Sequence, residues 1–89
     1  MLGVIRELRV SRNVQELDAY VDSIIRENPI GAYHALMYAE YNPGIRKASE
    51  VLLKSSYCED WAAASVGFER IGDGKMADEA REKFLKHLQ

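Results

Sequence analysis

The stretch WAAASVGFERIGDGKMADEAREKFLKHLQ, residues 61–89, has the pattern of two helices joined by a short turn. No charge precedes Glu69, and a helix that is apolar nearly all round is usually buried. Asp60 is expected to cap this first helix, Gly72 suits the left-handed position that ends many helices, and Asp73 is a good N-cap for the second. The apolar residues of the second helix recur at three- and four-residue spacing, namely Met76, Ala77, Ala80, Phe84 and Leu88. The stretch therefore predicts a helical hairpin.

Small residues in the first helix of this hairpin would let a neighbouring helix approach closely. They are Ala62, Ala63, Ala64, Ser65 and Gly67.

The hairpin resembles a tetratricopeptide repeat. The matching residues are Trp61 at the large residue that opens the first helix, Phe68 at its aromatic position, Gly72-Asp73 at the turn and Ala77 at the small residue opening the second helix. The departures are Ser65 for the usual glycine, Arg81 for a common aromatic and Phe84 for a common small residue.

The resemblance implies an array of hairpins that presents a curved surface to a peptide or a partner helix. The rest of the chain fits this architecture. Asn13 and Glu16 form a capping box before an amphipathic helix that extends to Glu27. Asn28-Pro29 and Asn42-Pro43-Gly44 each end one helix and start the next. We therefore expect an all-α fold of five or six antiparallel helices in a short repeat array, with a closed up-down bundle as the alternative.

A faint internal period of 29 residues divides the single domain, residues 1–89, into possible units 1–29, 30–58 and 59–89. Two sets of residues share this offset: Ala19, Ala48 and Ala77, and Val10, Ala39 and Phe68. Three triplets have the same internal spacing: Leu17/Tyr20/Ile24, Ile45/Ala48/Leu52 and Ala77/Ala80/Phe84. The period is shorter than the roughly 34 residues of a tetratricopeptide repeat, so either the loops are trimmed or the match is coincidental.

Composition limits the function classes. The chain has 89 residues, 47% of them hydrophobic and 29% charged, as in a soluble globular domain. The net charge of −2 argues against a global attraction to nucleic acid or to acidic lipid. The single cysteine excludes an internal disulfide. The N-terminus lacks the pattern of a signal peptide, and no stretch has the roughly 18 apolar residues of a membrane span, so we expect a cytoplasmic protein.

The aromatic cluster of the third helix is the main candidate binding site. His34, Tyr38 and Tyr41 fall on one helical face, and Tyr33 lies on the adjacent face. If these rings are exposed, they would form a peptide-binding groove, because tyrosine offers a large contact area at low entropic cost. The alternative is that the rings belong to the core. The groove requires Tyr38 and Tyr41 to lie in one exposed patch.

Three arginines at three-residue spacing, Arg6, Arg9 and Arg12, are a possible basic contact for phosphate or for an acidic partner. A solvated helix face explains the same spacing. If the stripe is functional, it joins a larger positive patch with Arg26, Arg46 and Lys47.

Nothing in the sequence indicates catalysis. Cys58 has no motif that links it to His34 or His87, and the histidines and carboxylates lack metal-ligand spacing. We therefore expect no enzyme activity, cofactor or metal. The expected function is a small protein-interaction module. The alternatives are a nucleic-acid-associated regulator that uses the arginines and a structural homo-oligomer, with Val4, Ile5 and Leu8 of the first helix as the expected homodimer contact.

Overall fold

Six α-helices and no strand make up the computed structural model, which describes all 89 residues. The helices are α1 (Leu2–Ser11), α2 (Val14–Glu27), α3 (Pro29–Ala39), α4 (Asn42–Leu53), α5 (Cys58–Arg70) and α6 (Gly74–Leu88). The prediction of an all-α fold is confirmed. None of the six helices combines the length and the apolar character needed to cross a bilayer.

Side-chain caps start three of the helices at the residues that the sequence indicates. The side-chain oxygen of Asn13 accepts a hydrogen bond from the amide of Glu16, and that of Asn28 accepts one from the amide of Gly31. The carboxylate of Asp73 accepts from the amide of Met76 at 3.1 Å. Each bond satisfies one of the free amides of a first helical turn.

The expected cap at Asp60 is wrong. Helix α5 begins at Cys58, so Asp60 lies inside its first turn, where a carboxylate still suits the positive end of the helix dipole. The Asp60 carboxylate accepts a hydrogen bond from the hydroxyl of Ser55 at 2.6 Å, in the connection from α4. The carboxylate therefore holds this connection and does not cap the helix.

The six helices form three successive pairs, α1 with α2, α3 with α4 and α5 with α6. A residue in the left-handed conformation reverses the chain after the first helix of each pair. These residues are Arg12 (φ 60°), Glu40 (φ 55°) and Gly72 (φ 81°). The residue that follows each of them is the N-cap of the second helix, namely Asn13, Tyr41 or Asp73. Equivalent residues are thus 28 apart between the first and second pairs (Arg12 to Glu40) and 32 apart between the second and third (Glu40 to Gly72).

This spacing replaces the constant period of 29 residues. Val10 and Ala19 are exposed, although their supposed counterparts Phe68 and Ala77 are buried. The three triplets in the second helices, by contrast, follow the 28- and 32-residue spacing, and their first members Leu17, Ile45 and Ala77 are all buried. Three of the four extra residues in the second interval lie in the helix connection, because four residues connect α4 to α5 whereas Asn28 alone connects α2 to α3. The fourth is Ile71, which lies between the end of α5 and Gly72.

The helices pack in series. Each helix packs against its neighbours in sequence, α1 and α5 both pack against α3, and α2 packs against α4. The molecule is accordingly elongated, measuring 47 × 25 × 17 Å. Helices α1, α3 and α5 form one layer of the stack, with the core between this layer and the second helices of the pairs.

Contacts between successive pairs recur at equivalent positions. The hydroxyl of Tyr41 donates to the carboxylate of Asp18 at 3.0 Å, and Arg46 donates to the carboxylate of Asp73 at 2.9 Å. Asp18 and Arg46 are equivalent residues, as are Tyr41 and Asp73. The hydrogen bond from Arg46 and that from the Met76 amide lower the pKa of Asp73. Each pair of helices is thus fastened to the next at the same place by different chemistry.

Helices α4 and α5 approach closely at Gly67, as the small residues of α5 predict. A Cβ atom at Gly67 would lie 2.1 Å from the Oγ of Ser49 and 3.1 Å from the ring of Tyr33. The Ser49 hydroxyl is fully buried and has no hydrogen-bond partner. Gly67 therefore sets how near the third pair lies to the second.

Replacing Glu40 with glycine should stabilise the protein by roughly 0.5–1 kcal/mol, because glycine adopts the left-handed conformation without a Cβ penalty. Gly72→Ala should destabilise it by about 1 kcal/mol for the same reason. Gly74→Ala, at a position with ordinary φ and free space, is the matched control and should cost nothing. Chemical denaturation measures all three, and equal effects of the two alanine variants would contradict the role of the turn.

The Gly67 contact makes a second prediction. Gly67→Ala should lower the free energy of unfolding by about 1–3 kcal/mol, because the new methyl group overlaps the Ser49 hydroxyl. Ser49→Ala should leave stability unchanged or raise it by about 1 kcal/mol, since it removes an unpartnered buried hydroxyl. The double variant should be more stable than the sum of the two single effects predicts, and a strictly additive double-mutant cycle would show that the two residues do not meet.

Candidate interaction surface

Helix α3 exposes an uncharged stripe along the middle of the layer formed by α1, α3 and α5. Ile30, His34 and Tyr38 recur at four-residue spacing and are all exposed. Tyr38 is 74% exposed, the most of the five tyrosines. The helix has no charged residue, and the first one after it is Glu40 at the turn. An exposed aromatic on an uncharged helix is the feature that most resembles a binding site.

The helices on either side of α3 extend this stripe. The residues equivalent to His34 are Arg6 on α1 and Val66 on α5, and those equivalent to Tyr38 are Val10 and Arg70. All four are exposed, and neither arginine forms an ion pair. We call the set the first-helix surface: Arg6, Val10, Ile30, His34, Tyr38, Val66 and Arg70. The sequence analysis missed Ile30, although its four-residue spacing from His34 places it on the same helical face. It also missed Val10, Val66 and Arg70, because only the packing of α1 and α5 against α3 relates them to Tyr38.

Tyr33, which the sequence analysis includes among the candidate binding residues, does not lie on this surface. Its side chain is 5% exposed and packs against the close approach at Gly67. Its ring meets that of His34 edge to face, with 5.2 Å between centroids. Burial raises the pKa of the Tyr33 hydroxyl, while the nearby Arg70 opposes that shift. The Tyr33 ring is part of the core, whereas the neighbouring His34 is exposed.

Tyr41 is half-buried and takes part in the junction between the first two helix pairs. Its hydroxyl donates to Asp18, and the guanidinium of Arg9 lies 5.6 Å from the centre of its ring. Burial and the hydrogen bond to Asp18 raise the pKa of Tyr41. The predicted groove of four aromatic residues is therefore divided: His34 and Tyr38 are exposed, Tyr33 is core and Tyr41 joins helices.

The three arginines do not act as one stripe. Arg9 donates to the carbonyl of Ala39, the last residue of α3, and lies against Tyr41, so it fastens α1 to α3. Arg6 and Arg12 remain exposed. Of the three cations that were expected to enlarge the patch, Arg46 pairs with Asp73 and Lys47 with Asp22. Arg26 is exposed and forms no ion pair. The basic contact is thus reduced to single side chains.

The expected homodimer contact is also changed by the packing. Ile5 is fully buried in the chain's own core, and Leu8 is partly buried against it. Val4 alone of the three is exposed. The face of α1 that carries Ile5 and Leu8 is therefore already occupied by α2 and α3.

No group of three or more histidine, cysteine or acidic side chains comes together as a potential metal site. Cys58 is half-buried at the start of α5. Three groups have clearly shifted pKa values, Tyr33, Tyr41 and Asp73, and burial or a hydrogen bond within the fold explains each shift. These perturbed groups therefore report on packing.

The difference between Tyr41 and Tyr38 can be tested with matched changes. Tyr41→Phe should lower the free energy of unfolding by about 1 kcal/mol, because it removes the hydrogen bond to Asp18. Tyr38→Phe should change it by less than about 0.5 kcal/mol. Since the folded pKa of Tyr41 is raised, the loss should be full below pH about 10 and should shrink as the pH rises through that pKa. Denaturation curves at neutral and alkaline pH measure the stability of both variants. Equal losses of stability in Tyr41→Phe and Tyr38→Phe would contradict the structural role of the Tyr41 hydroxyl.

Comparison of the chain with protein-family models, with curated proteins and with solved structures gave no match. The geometry of the first-helix surface is therefore the feature that indicates a function. Its exposed aromatic and apolar residues lie on helices that the core holds in place.

Proposed function

We propose that this chain is a small protein-interaction module that binds a peptide or a partner helix on the first-helix surface. The observation that carries the proposal is Tyr38, exposed on an uncharged helix between two neighbouring helices. Aromatic residues of this kind dominate binding energy at many interfaces, because they bury a large area at low entropic cost. Tyr38 and His34 form the centre of the proposed contact.

Apolar and charged neighbours support this position for the site. Ile30 lies one turn before His34, and Val66 on α5 occupies the equivalent place to His34. Together with Val10 on α1, they provide apolar contact around the aromatic side chains. Arg6 on α1 and Arg70 on α5 lie on either side of His34 and Tyr38, and neither arginine forms an ion pair. An apolar centre with a polar rim is the usual composition of a protein interface.

The proposal includes an architecture like that of tetratricopeptide repeats, in which the first helices of successive hairpins present the binding surface. The serial packing of the helix pairs and the direct contacts of α3 with α1 and α5 support it. A nucleic-acid role based on the arginines is the weaker alternative, because Arg9 is engaged with Ala39 and Tyr41 and the net charge is −2.

A pair of exposed tyrosines provides the test. Tyr38→Ala should abolish retention of a partner captured from native extract, with a loss of affinity of about tenfold or more. Tyr57→Ala is the matched control, because Tyr57 is 69% exposed but precedes α5, outside the first-helix surface. Circular dichroism shows that both variants are folded. A partner lost from Tyr38→Ala and retained by Tyr57→Ala supports the site, whereas a partner retained equally by both contradicts it.

A further inference from the structure

Both ends of the stack expose residues whose equivalents are covered inside it. Val4 on α1 is 39% exposed, whereas its equivalents Ala32 and Ala64 are fully buried. Leu85 on α6 is 49% exposed, whereas its equivalents Ile25 and Leu53 are buried and partly buried. Within the chain, the second helix of one pair packs twice against the first helix of the next pair, as α2 on α3 and α4 on α5. The exposed faces of α6 and α1 correspond to the two sides of this junction.

The charges at the two ends are complementary at the point of closest approach. Inside the stack, Ser49 on α4 meets Gly67 on α5. The equivalent of Ser49 at the C-terminal end is Arg81, and the equivalent of Gly67 at the N-terminal end is Glu7. Both side chains are exposed. Glu7 forms no ion pair within the chain, whereas Arg81 forms exposed ion pairs with Asp78 at 2.9 Å and with Glu69 at 3.7 Å. A second copy stacked in the same way would place Glu7 opposite Arg81.

The second recurring contact also fits such a stack. Inside the chain it joins Asp18 to Tyr41 and Arg46 to Asp73. The next contact in the series would join Asp78 of one copy to Asn13 of the following copy. Asn13 uses its side-chain oxygen to cap α2, which leaves its amide NH₂ group to donate to the Asp78 carboxylate.

We propose that this chain self-associates head to tail, with α6 of one copy packed against α1 of the next through the ion pair of Arg81 with Glu7 and the apolar contact of Leu85 with Val4. The interface joins two different surfaces, so it repeats along an open chain of copies unless the rotation closes a ring. It differs from a dimer of two α1 helices, which would be self-complementary and would not involve α6.

Sedimentation of the full chain over a range of concentrations tests the proposal. The mean mass of the wild type should rise with concentration and pass that of a dimer. Glu7→Lys should weaken association about fivefold or more, because it places a cation against Arg81. Glu7→Lys combined with Arg81→Glu should restore it, because the pair is reversed. Glu50→Lys, the same charge change on the outer face of α4, is the control and should have little effect.

The outcomes separate this interface from the alternatives. Arg81 also pairs with Asp78 and Glu69, so Leu85→Gln provides a second variant of the C-terminal end that touches no ion pair. Loss of association in Glu7→Lys and in Leu85→Gln supports the head-to-tail contact. A wild type that stays monomeric at all concentrations overturns it, as does association that Glu7→Lys weakens but Leu85→Gln does not. Tyr38→Ala should leave association unchanged, so the result is independent of the proposed peptide site.

Discussion

The left-handed turn after each first helix is the constraint on which the stack depends. At Arg12, Glu40 and Gly72 the chain reverses with the same backbone conformation, and the next residue starts the second helix. The backbone bonds from Leu17, Ile45 and Ala77 to the three N-cap carbonyls recur with it. Because each reversal passes through one left-handed residue directly before an N-cap, the helix pairs have similar shapes and can stack through equivalent positions.

Similar geometry is achieved with unlike side chains, which explains why the repeat is faint in the sequence. One junction uses a tyrosine hydroxyl on a carboxylate, and the next uses an arginine on a carboxylate. At the outer helices, Arg9 donates to the final carbonyl of α3 beside Tyr41, and Lys83 donates to the final carbonyl of α4 over the ring of Trp61. Each cation lies at the negative end of a helix dipole. The physical role is shared although residue identity is not.

The sequence predicts those features that depend on local chemistry. The caps at Asn13, Asn28 and Asp73, the helical class and the turn at Gly72 all follow from short motifs. The left-handed turns at Arg12 and Glu40 do not, because neither residue type favours that conformation. Nor could spacing separate the tyrosines of α3, since that helix is apolar on every side. Tyr33 is buried by Gly67 of α5, a partner 34 residues away in the chain.

The two proposed contacts use different parts of the same architecture. Peptide binding would use the exposed side of α1, α3 and α5, whereas self-association would use the ends at α1 and α6. The residues at the position of Tyr38 differ in chemistry along the layer: Val10 is aliphatic, Tyr38 is aromatic and Arg70 is cationic. A second copy added after α6 would place its own Val10 next in that row. Head-to-tail stacking would therefore lengthen the first-helix surface without covering it, and one extended partner could contact several copies at once.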